Sequence, residues 1–554
     1  MHFVDYLIVF PLRPDALPRF FEVAGAEVGE IEGLVFFFLF CAFSCLFVAT
    51  LLVALEKKSC DIGIQKTLKN RWLTALPAIA VILAATLSSA SDLEDILARK
   101  GKTRLLAGNH VELLLDGPES FERRLELIRS AKHHLLISSF IWRRDDYGLR
   151  FLDAVAEQIR AVAADGGHLE VLVILDDGTP HASNDFWSSI RKRLRSIGAE
   201  VRYFNPPRWG LVPLYGARLH DKVLIADGRA AILGGRNYSD HYFVDSGHTV
   251  WLDGDILIDG PTVEDLQMHW LKSWTVLGHL RSLIRFLAPP EKILGQLRTF
   301  WQTGIFPDGT SPLEPYADRA WFPHHDRTGD KEAAILYDNP LVWDRAPTVD
   351  VVIALVEGAQ TEVDFVTPFP NFPPRLINAA RAAVERGVRV RILTNSETRA
   401  VRGGIHWRAL LPAILSLGDA GVEVWGWSAG YEDPEATEGL RLCDPPRQPF
   451  TGLHAKLFQV DGRIGIVTAS NFNIRSTWYN TEAGVLVNDP STANEIRSTI
   501  DRLTGATPLT FECRDGLVFT LSEPSLLFGT DQRNKIRQEL GVSAAKIERY
   551  GPAF

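Results

Sequence analysis

A chain of 554 residues is too long for one ordinary globular domain, and its 46% hydrophobic and 23% charged residues describe folded protein with no disordered bias. The formal net charge of −9 weighs against a general nucleic-acid binder, whose affinity comes from neutralising phosphates with a basic excess. None of the five cysteines forms a C-x-x-C pair, so neither a zinc ribbon nor a disulfide framework is expected.

In chain order, an N-terminal segment (1–33) leads into "LVFFFLFCAFSCLFVATLLVAL" (34–55), 22 residues without a charge. That is long enough to cross a bilayer as a helix. The loop 56–72 carries Lys57, Lys58, Lys66, Lys69 and Arg71; such charge beside a span marks the cytoplasmic side. A second apolar run (73–90) is shorter and contains Pro77, so it reads as a second transmembrane helix or as a signal-like segment. Both readings place the remainder of the chain outside the cytoplasm.

From residue 91 helices alternate with strands, the pattern of layered α/β lobes. Strands are expected at "VELLLDG", "HLLISSFIW", "LEVLVILDD", "EVRYFNP" and "GDILIDG", with helices between them and at "TVEDLQMHWLKSW". The second half repeats the order through "EVDFVTPF", "VRVRILTNS", "VEVWGWS" and "EAGVLVND". A repeat of this length means duplicated domains: a first lobe over 91–280, a Pro- and aromatic-rich linker over 281–345, a second lobe over 346–510, and a tail over 511–554.

The strongest signal is one stretch written twice. "LHDKVLIADGRAAILGGRN" (219–237) and "LHAKLFQVDGRIGIVTASN" (453–471) share His, Lys, Asp and Asn at matching offsets. These are His220, Lys222, Asp227 and Asn237, then His454, Lys456, Asp461 and Asn471. A His and a Lys two apart on a strand share one face. Asp-Gly between apolar runs signals a hairpin, which would bring the Asn of the return strand near the His. Each hairpin thus gathers an imidazole that can attack or carry a proton, and an ammonium and an amide suited to phosphate oxygens. Asp227 and Asp461 fall at the turn and read as structural. Gly234 and Gly235 remove bulk where backbone can approach a ligand. Two halves facing each other would set two imidazoles on opposite sides of one phosphorus, as a two-step displacement through a covalent intermediate requires. Neither half is complete alone.

These residues resemble the phospholipase D superfamily, whose signature is H-x-K-x4-D followed by a G-[SG]-x-N segment. The likeness covers most of 105–510, and "ILGGRNYSDHYF", "DGDILIDGPTV" and "SNFNIRSTWYNTEAGV" are similar to bacterial cardiolipin synthases of the C type. The resemblance implies an α/β fold of two duplicated lobes, each a mixed sheet flanked by helices, related by a pseudo-twofold with the site between them. It implies His220 as nucleophile and His454 as acid/base, or the same two roles in reverse order. Lys222, Lys456, Asn237 and Asn471 would hold the phosphate. Glu482, 28 residues after His454, matches the family's histidine-orienting carboxylate, with Asp253, or alternatively Asp255, as the first-half candidate. Thr468 and Ala469 stand where the family usually has Gly-Ser, and Arg236 and Asn473 also differ from its commonest types.

The function implied is a membrane-bound phosphatidyltransferase making cardiolipin from phospholipids such as phosphatidylglycerol, with phosphatidylethanolamine as a further substrate. It would sit in a bacterial inner membrane with its catalytic domain on the periplasmic or extracytoplasmic side, and it would need no metal or other cofactor. A phospholipase D releasing phosphatidic acid uses the same residues and is the alternative. A nucleic-acid phosphodiesterase fits the acidity and the apolar N-terminus poorly. The pair His133–His134 reads as a strand-edge feature, and the acidic end of "LEVLVILDD" as the end of a parallel strand facing the site, an acidic pair that makes a poor metal cage.

Overall fold

The computed structural model describes residues 92–176, 184–204, 217–243, 251–285, 290–318, 321–340, 342, 346–395, 405–427 and 452–504, with short pieces at 510–512, 518–520 and 525–526. The apolar runs 34–55 and 73–90 and most of the tail lie outside the described residues. Among the described residues no helix is long and apolar enough to cross a membrane.

The compact unit Ala90–Phe554 is organised by one continuous sheet, sixteen-stranded among the described residues. The first half contributes β1 (Leu106–Leu114), β2 (His134–Ser139), β3 (Glu170–Asp176), β4 (Glu200–Phe204), β5 (Arg218–Leu219), β6 (Val223–Ala226), β7 (Ala230–Gly234), β8 (Trp251–Leu252) and β9 (Asp255–Asp259). The second contributes β10 (Lys331–Asp338), β11 (Glu362–Val366), β12 (Arg389–Asn395), β13 (Glu423–Trp427), β14 (Gly452–Leu453), β15 (Leu457–Val460), β16 (Ile464–Thr468) and β17 (Asn480–Asn488). The order across the sheet is β13-β12-β11-β15-β16-β17-β10-β1-β9-β7-β6-β2-β3-β4, with Ser525–Leu526 beside β13 and β5 beside β17, while β8 and β14 pair with each other apart from this sheet. That order reads as the same seven-strand series from either side of the β10–β1 seam. The seam is antiparallel, pairing Leu106 with Ala333 and Asn109 with Lys331 across a bulge. The mixed α/β architecture and its duplication therefore stand as the sequence implied.

The helices are α1 (Gly117–Ser130), α2 (Asp146–Ala164), α3 (Asn184–Ser196), α4 (Thr262–Arg285), α5 (Pro290–Thr303), α6 (Pro347–Gly358), α7 (Pro374–Glu385), α8 (Ile405–Asp419), α9 (Ile474–Trp478) and α10 (Pro490–Leu503). The starts follow local chemistry. Asp116 caps α1 by accepting from Glu119 N–H, and Asp145 caps α2 by accepting from Gly148 N–H, each satisfying a donor that a helix end leaves open. In the first half α1 and α2 bury Leu125, Ile128, Phe151 and Val155 with Ile137 and Val173 of the sheet. In the second, Val352, Leu376 and Ala380 of α6 and α7 lie with Phe365 and Ile392. A third cluster, including Trp270, Trp274, Leu297, Ile335 and Val485, draws on both halves. Strands β2 and β11 are buried at every residue, the polar side chains of "HLLISS" and "EVDFV" included.

One segment is placed differently from the expectation. Within the expected linker 281–345, residues 290–303 form α5 and residues 331–338 form β10, a central strand pairing β17 on one side and β1 on the other. The second half of the sheet therefore begins ahead of residue 346. "KEAAILYD" opens on two charges and two alanines, and its partner β17 lies about 150 residues further on, so no local alternation marks it as a strand.

Candidate active site

Each repeated stretch folds as the same hairpin. Strand β6 pairs with β7 (Val223 with Leu233, Ala226 with Ala230), and β15 with β16 (Leu457 with Val467, Val460 with Ile464). The turns hold Asp227 and Gly228 at φ 52° and 63°, and Asp461 and Gly462 at 54° and 59°. Both central residues are left-handed, as a type I′ turn requires, and Asp-Gly is the pair that tolerates it. The two aspartates also tie neighbouring chain. Asp227 accepts from the backbone N–H groups of Lys132, His133 and His134, and Asp461 from those of Gln360, Thr361 and Glu362. Both lie at the hairpin tip, the end away from the histidines.

The histidines sit where two short strands cross between halves. Strand β5, which ends just before His220, pairs in parallel with Asn480–Thr481 of β17; β14, which ends just before His454, pairs in parallel with β8. His220 N–H donates to Thr481 O (3.2 Å), and His454 N–H donates to Leu252 O (2.7 Å). Each histidine is therefore delivered beside the carboxylate that follows the opposite strand. His220 Nδ1 lies 2.8 Å from Glu482 Oε2, and His454 Nδ1 lies 2.6 Å from Asp253 Oδ2. A carboxylate only accepts, so each Nδ1 carries the proton and Nε2 is left as the nitrogen for a ligand.

Of the two first-half candidates, Asp253 meets a histidine and Asp255 does not. Asp255 accepts from Ser120 Oγ (2.7 Å) and pairs with Arg124 and Arg236, all within the buried interior. Arg236 is 1% exposed; its guanidinium donates to the carbonyls of Tyr242, Leu114, Leu115 and Asp253 as well as to Asp255. It thereby holds the backbone of the carboxylate that meets His454. Gly234 and Gly235 also serve this segment. A Cβ on Gly235 would lie 2.0 Å from Asp253 Oδ1, and one on Gly234 2.4 Å from Gly254 O.

Lys222 Nζ donates to His220 O (2.6 Å), and Lys456 Nζ donates to His454 O and lies 2.7 Å from His454 Nδ1. Asn237 accepts from Ile141 N–H and donates to Tyr242 Oη (2.8 Å). Asn471 is buried, and its Oδ1 has no partner among the described residues. Aromatic edges close the rings in: Phe140 lies 5.2 Å from His220, and Tyr242 and Trp251 lie 5.3 and 5.9 Å from His454.

This enclosure sets the charges. Burial lowers His220 to about 4, with Glu482 opposing and Lys222 and Lys456 reinforcing. Burial, then Lys456, lowers His454 to about 3 against the pull of Asp253. The ammonium of each half thus acts on the imidazole of the other. Burial also brings Lys222 down to about 8 and Lys456 to about 7, with Glu482 and Asp253 opposing in both cases. Burial works to raise Asp253 and Glu482, but the facing imidazole and lysine overcome it and hold both below the usual carboxylate range. The resting arrangement is two neutral imidazoles, each braced by a carboxylate and overlooked by two lysines whose charge burial weakens.

Several of these residues carry no mark in the sequence. Phe140, Trp251 and Tyr242 are single aromatics outside any repeated spacing. Arg236 was noted only as a departure from the commonest type. Asp176, the acidic strand end singled out earlier, accepts from Arg218 Nη1 (3.1 Å) and Leu219 N–H (2.9 Å), so it anchors β5. His134 is buried, bonded to Gln267 Oε1 and stacked on Trp321.

Two duplicated lobes presenting paired, carboxylate-braced imidazoles and lysines define an enzyme built for phosphodiester chemistry. The comparisons agree. The sequence matches the family "Cardiolipin synthase, PLD-like domain" over residues 125–257 and 352–504, and the chain belongs to this phospholipase D-like family, an enzyme of phosphatidyltransferase or phosphodiesterase type. Cardiolipin synthase 1 of Staphylococcus epidermidis is 22% identical over 421 residues, 74% of this chain and 71% of that protein. Cardiolipin synthases B and C of Escherichia coli are each 26% identical, spanning 72% and 68% of this chain and 81% of each relative, so identity does not separate the two branches. The phosphatidylserine synthase of Haemophilus influenzae has the same fold, with a TM-score of 0.52 at 16% identity over 82% of this chain and 98% of that one.

Proposed function

We propose that this chain is a cardiolipin synthase-like phosphatidyltransferase that moves a phosphatidyl group between phospholipids through a phosphohistidine. The observation that carries the reading is the crossed bracing of His220 by Glu482 and His454 by Asp253, which leaves Nε2 of each imidazole for the substrate. His220 Nε2 attacks phosphorus, and His454, which takes up a proton at Nε2 as the anionic phosphodiester binds, gives that proton to the departing alcohol oxygen. The acceptor hydroxyl then returns a proton to His454 as its oxygen displaces His220 from phosphorus. Phosphatidyl donor and alcohol acceptor enter; phosphatidyl product and free alcohol leave, and both histidines are restored. Lys222, Lys456, Asn237 and Asn471 hold the non-bridging oxygens, where charge accumulates in the transition state. The buried amide of Asn471, turned over, aims its NH2 where Oδ1 now lacks a partner.

The likeness to cardiolipin synthases supports phospholipids as substrates, and we assign phosphatidylglycerol as donor and acceptor and phosphatidylethanolamine as a further donor. The apolar runs 34–55 and 73–90 with the basic loop between them support attachment to a bacterial inner membrane, the lobes over 91–280 and 346–510 lying on its periplasmic face. The deciding experiment incubates purified protein with phosphatidylglycerol, with and without phosphatidylethanolamine, and weighs the products. Cardiolipin plus glycerol is expected; phosphatidic acid alone would assign water as the acceptor. Rapid quench with labelled donor should place the label on the peptide containing His220, and label on His454 would reverse the two roles.

A further inference from the structure

Asp221 stands between His220 and Lys222, is buried, and has no part in the proposed chemistry. Residues 220–222 join β5 to β6 and belong to neither, so no strand ladder holds them. The twin stretch of the second half is pinned through its backbone: the N–H groups of His454 and Ala455 both donate to Leu252 O (2.7 and 3.0 Å). In the first half His220 N–H donates to Thr481 O, but among the described residues Asp221 N–H makes no matching bond. Its side chain reaches across instead. Tyr337 Oη of β10 donates to Asp221 Oδ2 (3.3 Å), and Ser273 Oγ of α4 donates to Tyr337 Oη (2.8 Å). His269 and Trp301 stack on the Tyr337 ring at 5.0 and 5.8 Å, so the far end of this tie is rigid. The other half has neither member. Ala455 replaces Asp221 in the repeat. Gly234 and Thr468 match in the repeat and face Asp255 and Gly484, which in turn face Leu114 and Leu336. Leu115 therefore stands where β10 has Tyr337.

We infer that Asp221, gripped by Tyr337, is a positioning residue that fixes His220 for attack, doing with a side chain what Ala455 N–H does for the His454 stretch with the backbone. The inference rests on the phosphatidyltransferase reading, in which His220 is the nucleophile. The charge state suits the task. Two carboxyl groups in one buried pocket resist ionising together. Glu482 takes the charge, because His220 Nδ1 and Asn480 Nδ2 donate to it and Lys222 faces it. Burial, then the Glu482 charge, pushes Asp221 up to about 7, against the opposing pull of Thr481, Lys222 and Tyr337. Asp338 of β10, the remaining carboxyl of this pocket, is pushed up to about 8 by burial with Glu482 and Asp221 adding to it. Below about pH 7 Asp221 thus holds the stretch as a neutral acid and leaves Glu482 the charged partner of the imidazole.

The test compares the full-length variants Asp221→Ala, Asp221→Asn and Tyr337→Phe on phosphatidylglycerol in detergent micelles, at about pH 6, where Asp221 keeps its proton. Asp221→Ala, which copies the second half, should lower kcat roughly 10- to 100-fold while KM changes less than about twofold. Asn keeps an acceptor for Tyr337 without a charge and should recover most of that loss, with Tyr337→Phe falling between. In 15N histidine spectra Asp221→Ala should shift His220 and leave His454 in place. Normal kcat in Asp221→Ala overturns the inference. So does Asn as slow as Ala, which would make the charge itself the requirement, and so does an equal shift of both histidines, which would mark a general structural role. Should Asp221→Ala not fold, normal kcat in Tyr337→Phe overturns the inference in its place. Wild type that makes no lipid product would overturn the phosphatidyltransferase reading instead, and the histidine spectra would still decide whether Asp221 holds His220.

Discussion

In the first half Arg236 occupies the position that Ser470 holds in the second, and Asp255 that of Gly484. The first half-site is supported by buried charge: Arg236, Arg124 and Asp255, with a glycine at 234 admitting the Asp253–Asp255 segment. The second is supported by small groups. Thr468 Oγ1 donates to Ala483 O, Ser470 Oγ accepts from Phe472 N–H, and the glycine has moved to the facing strand, where a Cβ on Gly484 would lie 2.6 Å from Thr468 Cβ. Thr468 and Ala469, which depart from the usual Gly-Ser, are thus matched by a glycine opposite. The residues that touch substrate in the proposed mechanism repeat, while those that hold them in place do not. Two solutions serve because the requirement is geometric: a carboxylate must reach the other half's Nδ1.

The largest break in this symmetry should come from the repeated residues. His220→Ala and His454→Ala should each lower kcat by roughly 10³–10⁵-fold without loss of folding, and assays with labelled donor will show it. Normal turnover in either variant would sink the two-imidazole mechanism. Next come the braces. Asp253→Asn and Glu482→Gln should cost about 10²–10⁴-fold by releasing the imidazole tautomer. The crossing is checked by histidine NMR, where Asp253→Asn must perturb His454 and leave His220 in place.

Support should differ between halves in stability rather than rate. Arg236→Ser, which copies the second half into the first, should destabilise by about 3–5 kcal/mol because Asp255 loses a buried cation. Ser470→Ala should cost only about 1 kcal/mol, and denaturant melts of the two variants give the contrast. The pH profile follows from the shifted groups. Imidazole must be neutral to attack, so kcat/KM should fall below about pH 4, where His220 takes up a proton. The lysines must be charged to hold phosphate, so kcat/KM should also fall as pH rises through about 7 to 8. Lys456→Arg should extend the alkaline side, since guanidinium keeps its charge. The smallest effect belongs to the hairpin tips: Asp461→Ala should lower stability by about 0.5–1 kcal/mol through loss of the exposed hydrogen bonds from Gln360 and Thr361 N–H and leave kcat unchanged.

The sequence by itself determined the hairpins and their contents. A period-two strand and an Asp-Gly turn are local rules, so His220, Lys222, His454 and Lys456 could be placed on their strands from spacing alone, and the repeat announced that there were two. The alternation of helix and strand likewise gave the α/β lobes. What it could not give was partnership. Glu482 lies near His454 in the chain and bonds His220, and Asp253 lies near His220 and bonds His454. That exchange exists only because β5 and β14 each pair with a strand from the opposite half, and such pairing costs closure of loops more than 200 residues long that no local pattern records. The same holds for β10, for Arg236 and for Asp221, whose meaning depends on what the rest of the chain packs beside them.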